Sequence, residues 1–249
     1  MDGIEIRGLT VAYGEKRIFD GLDLSLRGGA VNVVLGSSGV GKTTLLNAVA
    51  GLVPHGGSID MPQGGISYIF QKDRLIPGIS VRKNLDLVLR SKIADKNERR
   101  EKIDEVLRRL EISDQAEKYP SELSGGQAQR VSMARAFLYP SSVLLMDEPF
   151  RALDLGLKLR LMAAFRGLLA ASPRTVVYVT HDIDECVLAA DRWILLGGSP
   201  AAVDAEGEID VPAEERGASA QELAEDDIGA LQHVAVGAEV HLQGDPALR

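Results

Sequence analysis

Two stretches of this chain are built to meet phosphate. GSSGVGKT, residues 36–43, fits the pattern G-x-x-x-x-G-K-[ST]. In that pattern the glycines let backbone N–H groups wrap a β-phosphate, Lys42 reaches the β- and γ-oxygens, and the Thr43 hydroxyl binds Mg²⁺. A Gly-rich turn would match by chance in roughly one chain in a hundred. The apolar strand before the loop and the helix after it decide for phosphate. The second stretch, SELSGGQAQRVSMARA at 121–136, places Ser124, Gly125 and Gly126 at a helix start, with Val131, Ala134 and Leu138 following at helical spacing. The N–H groups and positive dipole end of such a start favour an anion, yet this one has no lysine.

VLLMDE, residues 143–148, is an apolar strand ending in two carboxylates. On a buried parallel strand Asp147 emerges at the carboxyl end, where ligands bind in open α/β sheets. Asp147 suits a Mg²⁺ shell and Glu148 suits the base for an attacking water. Two acids at a strand end are more often a solvated turn; the phosphate loop reverses that preference, because a bound nucleotide requires a metal-binding acid. His181 also ends an apolar strand, in VTHD, where it can hold a γ-phosphate and water. Tyr13 can stack on a base or serve as an ordinary strand tyrosine. Gln71, at the end of ISYIFQ, says little by itself.

The elements that carry these residues are legible from periodicity. Ile4, Ile6, Leu9–Val11 and then Ile18, Leu22, Leu24 and Leu26 alternate as strands do. AVNVVLG, GGSID and GISYIF are further strands, and TTLLNAVAGL is a helix after the phosphate loop. From about 71 to 137 the character turns helical; Ile103, Val106, Leu107 and Leu110 share one face. SVLLMDE, TVVYVTH and RWILLGG restore the strand pattern, with helices at 154–171 and in DIDECVLAA. Past Gly198 the chain is rich in Ala, Gly and Glu, and a helix near 219–232 is the one element expected there.

Bulk composition sets outer limits. The 249 residues are 45% hydrophobic and 26% charged, ordinary for a globular protein. A formal charge of −8, from 28 Lys+Arg against 36 Asp+Glu, argues against nucleic acid or anionic lipid as a general partner. Cys186 is the single cysteine, which fits a reducing compartment. MDGIEIRG has neither the basic start nor the apolar core of a signal peptide, and no run approaches the ~20 apolar residues of a bilayer span.

Together these motifs resemble the ATP-binding subunits of ABC transporters. LSGGQ at 123–127 is similar to that family's signature, with a chance match of order one in several thousand chains. The likeness runs from about 4 to 196 with the motifs in the family's order. Tyr13 matches the aromatic loop, Gln71 the glutamine loop, Ala152, Leu153 and Asp154 the D-loop, and His181 the switch histidine. The resemblance implies an α/β P-loop NTPase fold of the ABC ATPase type, with an antiparallel β subdomain and a helical subdomain inserted in the core. The expected domain covers 1–200, the helical part about 72–137, and a short acidic extension 201–249.

By the same resemblance Gly36, Ser37, Ser38, Gly39, Val40, Gly41, Lys42, Thr43 and Thr44 bind ATP, together with Tyr13, Ser124, Gly125, Gly126, Gln127 and Asp154. Thr43, Gln71 and Asp147 hold Mg²⁺. Glu148, His181, Lys42 and Gln71 carry catalysis. Two subunits would pair head to tail, so that the SGG helix start of one covers the ATP held by the other; this accounts for its missing lysine. Implied partners are integral membrane permease subunits and, indirectly, a solute-binding protein, with the chain cytoplasmic and peripheral on the inner face of the membrane. QKDRLIPGISVRKNL and MDEPFRALD look most like importers of nitrate, sulfonates, taurine or thiamine precursors. Rival readings are an exporter or lipid-handling ATPase and a soluble ABC-type protein acting on ribosomes or DNA.

Three positions depart from the family pattern. Arg151 stands in the D-loop where a small residue is usual, and is expected to alter contacts across a dimer or reach a phosphate. Ala30 replaces a commoner acid. RLIPGIS, 74–80, lacks the aromatic often found after its proline.

Overall fold

The computed structural model describes residues 2–151 and 153–209. In chain order, β1 (Ile4–Tyr13), β2 (Lys16–Leu26) and β3 (Val31–Gly36) precede α1 (Lys42–Val49), β4 (Gly56–Asp60) and β5 (Ile66–Ile69). Next come α2 (Val81–Leu89), α3 (Lys96–Arg109) and α4 (Gly125–Leu138), with short 3₁₀ turns at Ser113–Gln115 and Pro120–Glu122 between the last two. β6 (Val143–Asp147), α5 (Leu155–Ala171), β7 (Thr175–Val179), α6 (Ile183–Ala189), β8 (Arg192–Gly197) and β9 (Ala202–Glu208) complete the series. The chain divides into two compact units, with breaks after residues 61 and 174.

The first unit joins the chain's beginning to its later part. Its antiparallel sheet has the order β2-β1-β4. The apolar alternation of β1 changes phase between Ile6 and Leu9, where the β1–β2 register shifts, so Ile4, Ile6, Leu9 and Val11 all remain buried. An inserted residue at a bulge does this without breaking the strand. β3 runs parallel to β7 on one side and β8 on the other. Residues 31–35 of β3 and all of β7 are buried, as expected for parallel strands covered on both faces. Asn32 is the polar exception on β3. Its amide donates to Arg27 O at 3.0 Å and Val176 O at 3.1 Å, and its Oδ1 accepts from Arg27 N at 2.8 Å.

β9 has no strand signature in its sequence, AVDAEGE. It pairs antiparallel with β8 and is held by Arg192 on Glu206 at 2.9 Å. A Cβ at Gly207 would fall 2.7 Å from the Trp193 ring, so the close approach of this strand requires glycine. The helix expected near 219–232 lies outside the described residues.

The second unit contains β5 parallel to β6, the three helices α2, α3 and α4, and α5. Asn84 of α2 is buried and ties down the RLIPGIS loop, accepting from Ile76 N at 2.8 Å and donating to Ile76 O at 3.1 Å. Asp86 links α2 to α3 through Arg99 at 2.6 Å. Arg174, at the end of this unit, is buried. Its guanidinium donates to Ala136 O at 3.0 Å and Phe137 O at 2.7 Å, closing the carboxyl end of α4 where a cation is favoured. Burial lowers the Arg174 pKa from its ordinary value. No helix among the described residues is long and apolar enough to cross a membrane.

Candidate functional site

In the first unit, the turn between β3 and α1 places the phosphate loop. Lys42 is 7% exposed and bends back over its own loop, donating from Nζ to Gly36 O at 2.6 Å and Ser37 O at 2.9 Å. Ser38, Gly39 and Val40 form the turn it closes; Val40 N donates to Ser37 O at 3.3 Å. Gly41 has φ 122°, and a Cβ there would sit 2.7 Å from Ile18 Cγ2. Gly41 is also the N-cap of α1 with no side-chain cap, so Lys42, Thr43 and Thr44 open a helix whose start can receive an anion. Thr43 is exposed and Thr44 half-buried.

Tyr13 ends β1 and is 51% exposed, which leaves it accessible for stacking. His181 is exposed just beyond β7. The segment that carries it is fixed from both sides. Buried Glu185 of α6 accepts from Thr180 Oγ1 at 2.8 Å and from the Tyr178 hydroxyl. Asp182 N donates to Thr180 Oγ1 at 3.1 Å, and Asp182 in turn caps α6. Glu185 escaped the sequence reading, because only the folded strand–helix corner brings it beneath Thr180.

In the second unit the strand-end acids separate in character. Asp147 is the last residue of β6 and only 4% exposed. Burial, then the Asp147 carboxylate, push the Tyr68 phenol up from its ordinary value. Glu148 follows with φ 46°, a left-handed conformation that costs a non-glycine residue of order 1–3 kcal/mol and clusters at functional sites. Gln71 Nε2 donates to Glu148 Oε2 at 3.3 Å, so the glutamine after β5 and the second acid do meet. Arg151 reaches that same oxygen at 2.8 Å.

The helix start at Ser124 forms as the spacing predicts. Ser124 caps α4, accepting at Oγ from Gln127 N at 3.3 Å, while Gln127 Oε1 accepts from Ser124 N at 2.9 Å. Gln127 therefore spends its carboxamide oxygen on the reciprocal cap, and the Ser124 O–H remains a donor. Gly125 leaves room where a Cβ would project, and a Cβ on Gly126 would lie 3.2 Å from Leu153 Cδ2. Asp154 caps α5 by accepting from Leu157 N at 2.9 Å. Ala152 of the D-loop lies outside the described residues.

A lysine folded over glycine-rich backbone at a strand–helix junction is the geometry of a nucleoside-triphosphate-binding α/β protein. The comparisons with known proteins narrow the class. The sequence pattern described as "ABC transporter" matches residues 19–151. Aliphatic sulfonates import ATP-binding protein SsuB 1 of Nocardia farcinica is 40% identical over 202 residues, 81% of this chain and 80% of the relative. The SsuB protein of Mycobacterium sp. is 36% identical over 210 residues, 84% of this chain and 85% of that one. Among solved structures, a dimeric ATP-binding cassette in a post-hydrolysis state bound to ADP and phosphate superposes with a TM-score of 0.74. It is 28% identical, with 84% of this chain and all of that one covered. The chain belongs to the ABC transporter family and is an ATPase of that family.

Proposed function

We propose that this chain is the ATP-hydrolysing subunit of an importer for aliphatic sulfonates, acting as a head-to-tail pair beneath two membrane permease subunits. The observation that carries the import reading is the similarity to several relatives named as aliphatic sulfonate import subunits, extending over about four-fifths of both chains. Nitrate, taurine and thiamine-precursor importers are the neighbouring alternatives within the same group.

The chemistry proposed for each residue follows from the motif it matches. Lys42 and the amides of the loop bind the β- and γ-phosphates, and Tyr13 stacks on adenine. Glu148 polarises the attacking water, with His181 and Gln71 on the γ-phosphate side. Ser124, Gly125 and Gly126 complete the site on the opposite subunit. Among the described residues no group of three or more His, Cys, Asp or Glu could hold a metal. Thr43, Gln71 and Asp147 are instead the sparse oxygen donors that suit Mg²⁺, which retains waters and phosphate oxygens. When bound, Mg²⁺ would neutralise charge on those phosphate oxygens.

The test is reconstitution in vesicles with its permease subunits and solute-binding protein. Alkanesulfonate should accelerate ATP hydrolysis and enter the vesicle lumen. Acceleration by nitrate or a thiamine precursor instead would reassign the solute. Export of a lipid or drug would overturn the import reading.

A further inference from the structure

Arg151 stands on a turn that brings its guanidinium onto Glu148. Residues 148–151 form a turn closed by Arg151 N donating to Glu148 O at 3.3 Å. Pro149 sits inside that turn, and Phe150 is fully buried, meeting Phe165 edge to face with ring centres 6.3 Å apart. The turn is thus anchored in the core, and it returns the Arg151 side chain over the acid three residues earlier. The ion pair is local and built in.

Its geometry falls on the atom that matters. Arg151 Nη1 lies 2.8 Å from Glu148 Oε2, and Gln71 Nε2 donates to the same oxygen at 3.3 Å. An oxygen that already accepts from a guanidinium and a carboxamide has its lone pairs occupied and is not free to meet a water proton. The two partners differ in exposure: the Glu148 side chain is 14% exposed and that of Arg151 59%. Arg151 is therefore the member that can swing away into solvent, and the restraint it exerts is weak and salt-sensitive.

We infer that Arg151 is a positioning residue for Glu148: it holds Oε2 in a salt-bridged pose that must open before the carboxylate takes a proton from water, and so restrains turnover. This rests on the reading of Glu148 as the base. It also gives the arginine a role in its own subunit, where a small side chain would leave the acid unrestrained.

Steady-state ATP hydrolysis by the purified full chain tests the inference. Arg151→Ser should raise kcat by about two- to five-fold, the size of an exposed ion pair, with KM for ATP unchanged. Arg151→Lys should stay within about two-fold of the original rate, since it restores a charge on the same turn. The advantage of Arg151→Ser should shrink between about 0.05 and 0.5 M NaCl as screening releases the original pair. In the double variant with Glu148→Gln the gain should vanish. A kcat for Arg151→Ser equal to or below the original, with melting temperature unchanged, would overturn the inference. If Glu148→Gln abolishes turnover while Arg151→Ser gains nothing, only the restraint is wrong. If Glu148→Gln turns over normally, the assignment of the base fails and the inference with it.

Discussion

Glu185 and Thr180 are joined by a 2.8 Å hydrogen bond that fixes the residue immediately before His181. The carboxylate is buried and also accepts from the Tyr178 hydroxyl, so one side chain on α6 holds two residues at the end of β7. Glu185→Ala would leave two buried hydroxyls without this acceptor, at roughly 1–3 kcal/mol each. The expected outcome is a melting temperature lower by several degrees and a reduced kcat, with Glu185→Gln intermediate in both. Calorimetry and turnover on the same samples check it; a Glu185→Ala protein with an unchanged kcat would detach His181 from this network.

The same corner sets an alkaline limit. Burial first, then Glu185, push the Tyr178 phenol well above its ordinary value of 10.0. The folded chain therefore keeps that proton where the unfolded chain has lost it. The stability this contributes is full below about pH 10 and is lost as pH rises from there. Tyr178→Phe is expected to be less stable at pH 7, through the lost donor, yet to show a shallower decline above pH 10. Denaturant unfolding across that range measures both.

Glu148→Gln should lower hydrolysis at least ~100-fold while leaving ATP binding intact, because the amide cannot take a proton but keeps the shape. With Mg²⁺ and ATP present, the variant should accumulate as a dimer on size-exclusion chromatography. A monomeric, ATP-loaded variant would contradict the shared-site reading.

Lys42→Ala removes a buried cation that bonds two carbonyls of its loop. Charge-assisted bonds to phosphate are worth about 1.5–3 kcal/mol each, so affinity for ATP should fall by about 10- to 200-fold. Fluorescent nucleotide titration reads this directly, and equal affinity in the variant would exclude Lys42 from phosphate binding.

Gly126→Ala separates stability from activity. The added Cβ would stand 3.2 Å from Leu153 Cδ2, a contact a flexible leucine can yield to, and alanine is the better helix former. Folding should be unchanged to within about 1 kcal/mol. ATPase activity should nevertheless drop more than about 10-fold, because Leu153 of the D-loop must shift to admit the methyl group beside the proposed phosphate-facing helix start. Retained activity would mean that this helix start does not approach nucleotide.

Much of the proposed site can be read before folding because its chemistry restricts residue types at fixed spacing. Gly36, Gly41 and Lys42 must follow one another closely along the chain, as must Ser124 and the glycines after it. Asp147 and Glu148 are adjacent in sequence and sit at the end of a strand whose apolar run is plain. What escapes is set by tertiary proximity. Glu185 becomes a hub only when α6 folds back on β7. Arg174 reads as a surface cation until the end of α4 is brought to it. Arg151 stands out as a departure, but nothing in the sequence says that its turn aims it at Glu148. β9 is invisible for another reason: its alanines, glycine and acids carry no strand preference, and its pairing is supplied by β8 and Trp193.

The buried guanidinium of Arg174 gives α4 a fulcrum. With Ala136 and Phe137 clamped at one end, the 14 residues of the helix extend about 21 Å to Gly125. A tilt of about 10° about that fixed end would swing the Ser124 tip by nearly 4 Å on this length. Any tilt about that fixed end is therefore smallest at the buried residues near the clamp and largest at the serine hydroxyl, which makes the helix a lever with its working end at Ser124.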